Sequence, residues 1–181
     1  MRSALITMAS LLCILATAAR ADWHVNIEPP DVFGKKNVMA ADLNGIVDRE
    51  IFIVKCYGDT LTIAYIRKKK EFKEIDERAA DLFIQIDNGN PIKIPARILE
   101  WNSKYEGIEY DFRLSEVYDI SKAVAILTSI ADSKSPINLG ATAGEEEIMT
   151  ASVGAGGSGA AMATVIKECH LTGNAKPTQQ D

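Results

Sequence analysis

Histidine is almost missing from this chain: only His24 and His170 occur among its 181 residues. A Ser–His hydrolase is thereby starved of its base. Basic charge is lacking as well. Against 25 Asp and Glu stand 20 Lys and Arg, a net charge of −5, so the footprint of a nucleic-acid binder is absent. No uncharged apolar run reaches the roughly 20 residues that a membrane-spanning helix needs, and no internal repeat is visible. With 47% hydrophobic and 25% charged residues, the composition is that of an ordinary globular domain. It excludes a disordered chain, a collagen-like repeat, a coiled coil and a multi-span membrane protein. The length is one domain's worth.

What is present begins with an address. Arg2 supplies a positive start, Ala4 to Ala18 is uncharged and apolar, and Ala19-Arg20-Ala21 places small residues at the −3 and −1 positions of a cleavage site. Residues 1–21 therefore read as a signal peptide, removed after Ala21. Cys13 follows Leu12 rather than a small residue, so lipidation is not expected. Cleavage removes Arg2 and Arg20 and leaves 18 basic against 25 acidic residues, a net charge of −7. Such a product is expected to be periplasmic or secreted, with no stable membrane insertion after cleavage. It keeps two cysteines, Cys56 and Cys169. An even pair in an oxidising compartment reads as one disulfide. Closing a loop of about 100 residues is worth on the order of 4–5 kcal/mol in the chain-entropy account.

Residues 22–171 read as a single β-rich domain and 172–181 as a disordered polar tail. Asp22 to Asp48, with Pro29-Pro30, Gly34 and Gly45, reads as an irregular or edge segment holding at most one short strand. Glu50 to Ile66 reads as a hairpin that turns at Gly58-Asp59. Arg67-Lys68-Lys69-Lys70 reads as a solvated loop. Leu82 to Asp87 and Pro91 to Trp101 flank Asn88-Gly89, a dipeptide suited to the positive φ angles of a type I′ turn. Glu109 to Leu114 suggests a short strand. A helix is expected over Lys122 to Ala131, capped by Asp119 or Ser121. Ile137 to Thr142 and Ile148 to Val153 suggest strands around an acidic turn, and Ser158 is expected to cap a last helix running through Glu168. Strands and helices do not alternate, which argues against a doubly wound sheet. The expected class is β-rich α+β, an antiparallel sheet or sandwich with two late helices packed on it.

The motifs that carry chemistry are few. Gly154-Ala155-Gly156-Gly157-Ser158-Gly159 matches G-x-G-x-x-G. It has no strand after it, and the acidic residue about 20 positions on would be the chain end, so it reads as a strand-to-helix connection. Gly156-Gly157-Ser158-Gly159-Ala160 misses the nucleophile elbow by its last residue. Cys169 and His170 are adjacent, too close for the usual spacing of zinc ligands. The many carboxylates read as a solvated surface, and Trp23 and Trp101 as core or interface anchors. If cleavage follows Ala21, the mature chain starts Asp22-Trp23-His24. Its amine, two amide nitrogens and the His24 imidazole are either a square-planar metal site of the kind Cu(II) and Ni(II) prefer or a fortuitous histidine. No catalytic residue and no cofactor is expected.

The order of features resembles type VI secretion accessory proteins, small exported bacterial proteins. It has an early strand ending in cysteine, Ile51-Phe52-Ile53-Val54-Lys55-Cys56, then an alternating strand. Ile86-Asp87-Asn88-Gly89 follows, then Trp101-Asn102-Ser103, and finally a glycine-rich link into a helix carrying the second cysteine, Gly157 to Cys169. That family often has arginine two places before the aspartate. Here Gln85 stands there, and no role of that arginine is carried over. Invasion-associated locus B proteins have a similar outline with more cysteines. Both resemblances imply a non-catalytic accessory role, with another envelope or secretion-system protein as partner. An exported metal-binding or hydrolytic protein is the alternative. Intact-mass measurement of the exported protein should give a chain that begins at Asp22; a full-length species held in the membrane would contradict the cleavage site.

Overall fold

The computed structural model describes residues 23–42, 50–69 and 78–171. The expected signal peptide, residues 1–21, and the expected tail, residues 172–181, lie outside them, as does Asp22. Nine strands form one antiparallel sheet: β1 (Trp23–Glu28), β2 (Asn37–Asp42), β3 (Ile51–Tyr57), β4 (Thr60–Lys68), β5 (Arg78–Gln85), β6 (Ile92–Asn102), β7 (Tyr105–Arg113), β8 (Ile137–Ala143) and β9 (Glu146–Val153). Among the described residues two helices, α1 (Val117–Ala131) and α2 (Ser158–Glu168), accompany the sheet. The strand order is β1-β2-β3-β4-β7-β6-β5-β8-β9. The expected β-rich α+β class is what the chain adopts, as one sheet rather than a sandwich.

Alternation explains the sheet. Phe52, Val54 and Cys56 of β3, Leu61, Ile63 and Tyr65 of β4, and Ile108 and Phe112 of β7 all fall on one face and are buried. The same face of β5 and β6 supplies Leu82, Ile84, Ile94 and Ile98. Among the described residues no second sheet covers it, so the sheet covers itself. Arg67 of β4 donates from Nη1 to the carbonyl of Ile148 in β9. Those strands are five steps apart in the order, which in a flat sheet is roughly 24 Å at about 4.8 Å per step. Trp23 Nε1 on β1 donates to the carbonyl of Gly154, just after β9, at 2.8 Å, although β1 and β9 are the two edges. The sheet therefore curls into an incomplete barrel around its apolar face.

The helices fill the remaining inner space as an antiparallel pair. Ser158 at the start of α2 donates from Oγ to the carbonyl of Ile130 near the end of α1, at 2.9 Å. At the other end, Leu114 N, just before α1, donates to Asp59 O, and Cys169 closing α2 is joined to Cys56 of the same β3–β4 hairpin. Helix α2 packs on β1, β2 and β3, and α1 lies beside β7. Ala123, Ile126, Leu127 and Ile130 of α1 face Ala161, Met162 and Val165 of α2 in one core.

Several local expectations need correction. Asp22 to Asp48 holds two strands, not at most one: β1 and β2 pair from Trp23 opposite Asp42 to Glu28 opposite Asn37. The second hairpin turns one residue early. Asp87 and Asn88 carry the positive φ angles, 49° and 59°, and Gly89 N closes the turn on Ile86 O. Asp87 is otherwise occupied, accepting from the Lys134 and Ser135 amides and the Ser135 hydroxyl. Neither helix has a side-chain cap. Asp119 instead accepts from Arg113 N at 2.9 Å, and Ser158 bonds α1 as described. The basic run is not a solvated loop throughout. Arg67 ends its reach in a nearly buried pair with Glu106, and Lys69, whose side chain is 5% exposed, pairs with Glu100 at 3.0 Å. Lys70 lies outside the described residues.

Cys56 and Cys169 form the expected disulfide, 113 positions apart in sequence with Cα atoms 6.3 Å from each other. Cys56 is buried and Cys169 half-buried. The bond is compatible with an oxidising, exported location. It anchors the last helix to the core, so its loss should cost about 2–5 kcal/mol of stability. Cys56→Ser, Cys169→Ser and the double variant should unfold in denaturant at the same midpoint, because all three lose the same crosslink. Peptide mapping without reductant should recover the linked pair; free thiols at both positions would refute it.

Candidate functional site

Two regions present organised side chains to the outside. The first is the turn between β1 and β2. Asp31 holds it together: Oδ1 accepts from the Phe33 and Lys35 amides at 2.8 Å each, and Oδ2 accepts from the Tyr57 hydroxyl at 2.5 Å. The main chain adds Gly34 N to Asp31 O and Asp31 N to Lys35 O, both 2.9 Å. The Tyr57 hydroxyl, then the Lys35 amide, hold the Asp31 carboxyl below its usual range, while the same carboxylate pushes the Tyr57 phenol up. On this pinned turn Val32 is 94% and Phe33 81% exposed. Asn37 lies opposite Tyr57, Tyr57 opposite Thr60, and Thr60 opposite Arg113. The start of α1, where Val117 and Tyr118 are also exposed, is thus at the same end of the sheet.

The second region is on the outer face, built by β4, β6 and β7. Gly107, Glu109 and Asp111 alternate outward on β7 while Ile108 and Phe112 point in. The β6–β7 pairing shifts register between Glu100 and Asn102, and a bulge of this kind re-aims the side chain it holds. Here that side chain is Trp101. Its indole lies on Gly107, where any Cβ would come within 2.3 Å of Nε1. Nε1 donates to Glu109 Oε2 at 3.2 Å. Asp111 accepts from the Thr62 hydroxyl at 2.5 Å and from Arg97 Nη2 at 3.1 Å. Arg97 reaches Glu109 only at 3.9 Å. Burial, with Asp111 beside it, pushes the Glu109 carboxyl above its ordinary value. Two adjoining depressions of about 450 and 330 Å³ share Thr60, Glu109 and Asp111 as a common wall, and both are open to solvent.

Trp23 is a core anchor, edge-on to Phe52 at 5.8 Å between ring centres, whereas Trp101 is the outward platform just described. His24 sits on the edge strand β1 opposite Ala41. Consecutive amides of a strand point to opposite sides, so the ladder with β2 competes for one of the two amide nitrogens a square-planar site would take. Asp22, which would bring the amine, lies outside the described residues. Ser158 is 1% exposed and its hydroxyl is spent on Ile130, which leaves it no nucleophile's role. Gly154 to Gly159 connects β9 to α2 and brings Gly159 against the carbonyl of Ala131. Cys169 is in the disulfide and His170 is exposed beyond it. Among the described residues no group of three or more His, Cys, Asp or Glu could hold a metal, and no helix is long and apolar enough to cross a membrane. The carboxylates are not all solvated: Asp42, Glu106 and Asp119 are buried.

The Glu109 shift has a stability consequence with a definite sign. A carboxyl whose pKa is raised by folding binds its proton more tightly in the native state, so stability falls as pH rises through its range. Glu109→Gln keeps an acceptor for Trp101 and removes the charge. Its melting temperature should exceed that of the wild type at neutral pH, with the gap closing below the ordinary carboxyl value of 4.5; a gap independent of pH would refute the cause given. Comparison with protein-family models, with curated proteins and with solved structures finds no match.

Proposed function

We propose that this chain is an exported, non-catalytic binding protein of the periplasm, acting through protein–protein contact. The observation that carries the reading is the pinned turn bearing Val32 and Phe33. Exposed apolar side chains scattered on a surface need no explanation. Two in succession on a turn whose carboxylate accepts three hydrogen bonds are different, because the turn cannot fold them away. Complete burial of a Val and a Phe is worth about 1.5–3 kcal/mol each, available to a partner without a large ordering cost. Val117 and Tyr118 at the same end widen the surface, and aromatic residues there are the usual anchors of an interface. The resemblance to type VI secretion accessory proteins agrees with this role and points to another envelope or secretion-system protein as the partner.

A photo-crosslinking amino acid at position 33 in the source cell should give one discrete adduct, whose partner is then identified and purified. Val32→Ser/Phe33→Ser should weaken that complex on the order of 100-fold while leaving the melting temperature unchanged, since neither side chain contributes to the core. Crosslinking at position 24 is the control. Equal adducts at both positions, or undiminished affinity of the double variant, would remove the turn from the interface.

A further inference from the structure

We propose that the outer-face groove beneath Trp101 binds a neutral saccharide chain. The groove adjoins the Val32–Phe33 turn through Tyr57, which lines it and donates to Asp31, but the inference rests on Trp101 and Glu109 and does not depend on that turn.

Three features build the site. The first is the aromatic platform. Trp101 is 42% exposed although the Nε1–Cδ1 edge of its indole is seated on Gly107, and the seat exists only because residue 107 has no Cβ. A register shift in β6 and a glycine in β7 thus let the indole approach the sheet by its Nε1–Cδ1 edge while much of the ring stays in solvent. Tyr57, 43% exposed, also lines the depression that Trp101 borders. The second is charge balance. Lys55 and Arg97 face Glu109 and Asp111 across the floor, and Arg113 at one end is answered by Glu116 at 3.5 Å. The third is shape: the two depressions run together along a shared wall, long and open rather than enclosed.

These features select a ligand by elimination. An anion would meet two carboxylates, one of them already disfavoured in its charged form by burial. A cation would meet Lys55 and Arg97. An apolar ligand would strip water from four charged groups and return no hydrogen bonds. A hydroxyl both donates and accepts. It can give its proton to Glu109 Oε1, which has only Arg97 at 3.9 Å, and take a hydrogen bond from Arg97 or Lys55. A sugar ring offers several hydroxyls in a row together with a flat C–H face, which matches the exposed indole. Pockets of this sort fix orientation with a few polar groups and draw affinity from the apolar surface.

The experiment is a screen of the full purified chain against an array of defined neutral and acidic oligosaccharides, followed by titration of the hits in solution by tryptophan emission. At least one neutral oligosaccharide should bind saturably and perturb the emission, since Trp23 is buried and Trp101 is the accessible indole. Trp101→Ala should weaken binding roughly tenfold or more, and Trp101→Phe should retain part of it. Gly107→Val keeps the tryptophan but removes its seat, and should match Trp101→Ala. Glu109→Gln, which acts from a different strand, should weaken binding with the platform intact. Thermal melts identify any variant that fails to fold, and the Trp101→Phe and Glu109→Gln pair then carries the test. Absence of binding to every neutral oligosaccharide at millimolar concentration would overturn the proposal. So would binding indifferent to both Trp101 and Glu109, or binding confined to acidic sugars and abolished by salt, which would assign it to surface lysines.

Discussion

The rest of this structure depends on one long face of apolar side chains that meets no second sheet among the described residues; a smaller buried cluster, Ala41, Ile53, Ala64 and Ile66, lies on the other face. Nine strands present alternate residues inward, and the cost of leaving Phe52, Ile63, Ile98 or Phe112 in water is about 25 cal/mol for each Å² of apolar surface. Curling brings those residues onto one another. It also obliges the strands to cross the interior with whatever can span it, which is why Arg67 on β4 finds a carbonyl on β9. Once the sheet curls, an opening remains, and the antiparallel pair α1 and α2 occupies it. The disulfide holds the last helix against β3. The Ser158 hydroxyl holds its other end against α1. Gly154 to Gly159 gives α2 a permissive lead, and these two attachments fix where the helix lies.

What the sequence disclosed and what it hid divide along the range of the interaction. The hairpins β3–β4 and β5–β6 were legible because alternation and a turn signal are both local. Strands β1 and β2 were not. Pro29-Pro30 and Gly34 sit between them, and neither strand is apolar enough alone; β2 exists because β3 offers a ladder to pair with, and β1 because β2 then offers the next. Arg67 looked like part of a basic loop because Glu106 and Ile148, which place it inside, lie 39 and 81 residues away. Asp119 and Ser158 carry good capping side chains, yet each bonds a more distant backbone group instead. A local preference worth about 1 kcal/mol yields readily to a buried partner.

The candidate surfaces were less legible than the fold. Gly107-x-Glu109-x-Asp111 is a period-2 pattern on an evident strand, and it could have been read as one outward row. The bulge that turns Trp101 onto Gly107 could not, since it depends on the pairing of β6 with β7. Val32 and Phe33 looked like ordinary residues of an irregular segment. Their exposure is a tertiary fact, and their rigidity comes from Tyr57, 26 residues beyond Asp31.

The crowded interior also decides where binding can occur. Some curled sheets and barrels keep a lumen wide enough for one small ligand. Here that space is taken by the sheet's own large side chains, with Tyr65, Phe52, Phe112 and Leu61 among those almost wholly enclosed, and by two helices. At the polar end of the core, the Tyr65 hydroxyl donates to Glu50 and Arg67 is committed to Glu106, so even the charged groups there have internal partners. Recognition is left to the turns at the strand ends and to the outer face of the sheet. The outward rows of β6 and β7 can carry a tryptophan, a glycine seat and two carboxylates because their inward rows, Ile94 and Ile98 with Ile108 and Phe112, already supply the burial that folds the strands.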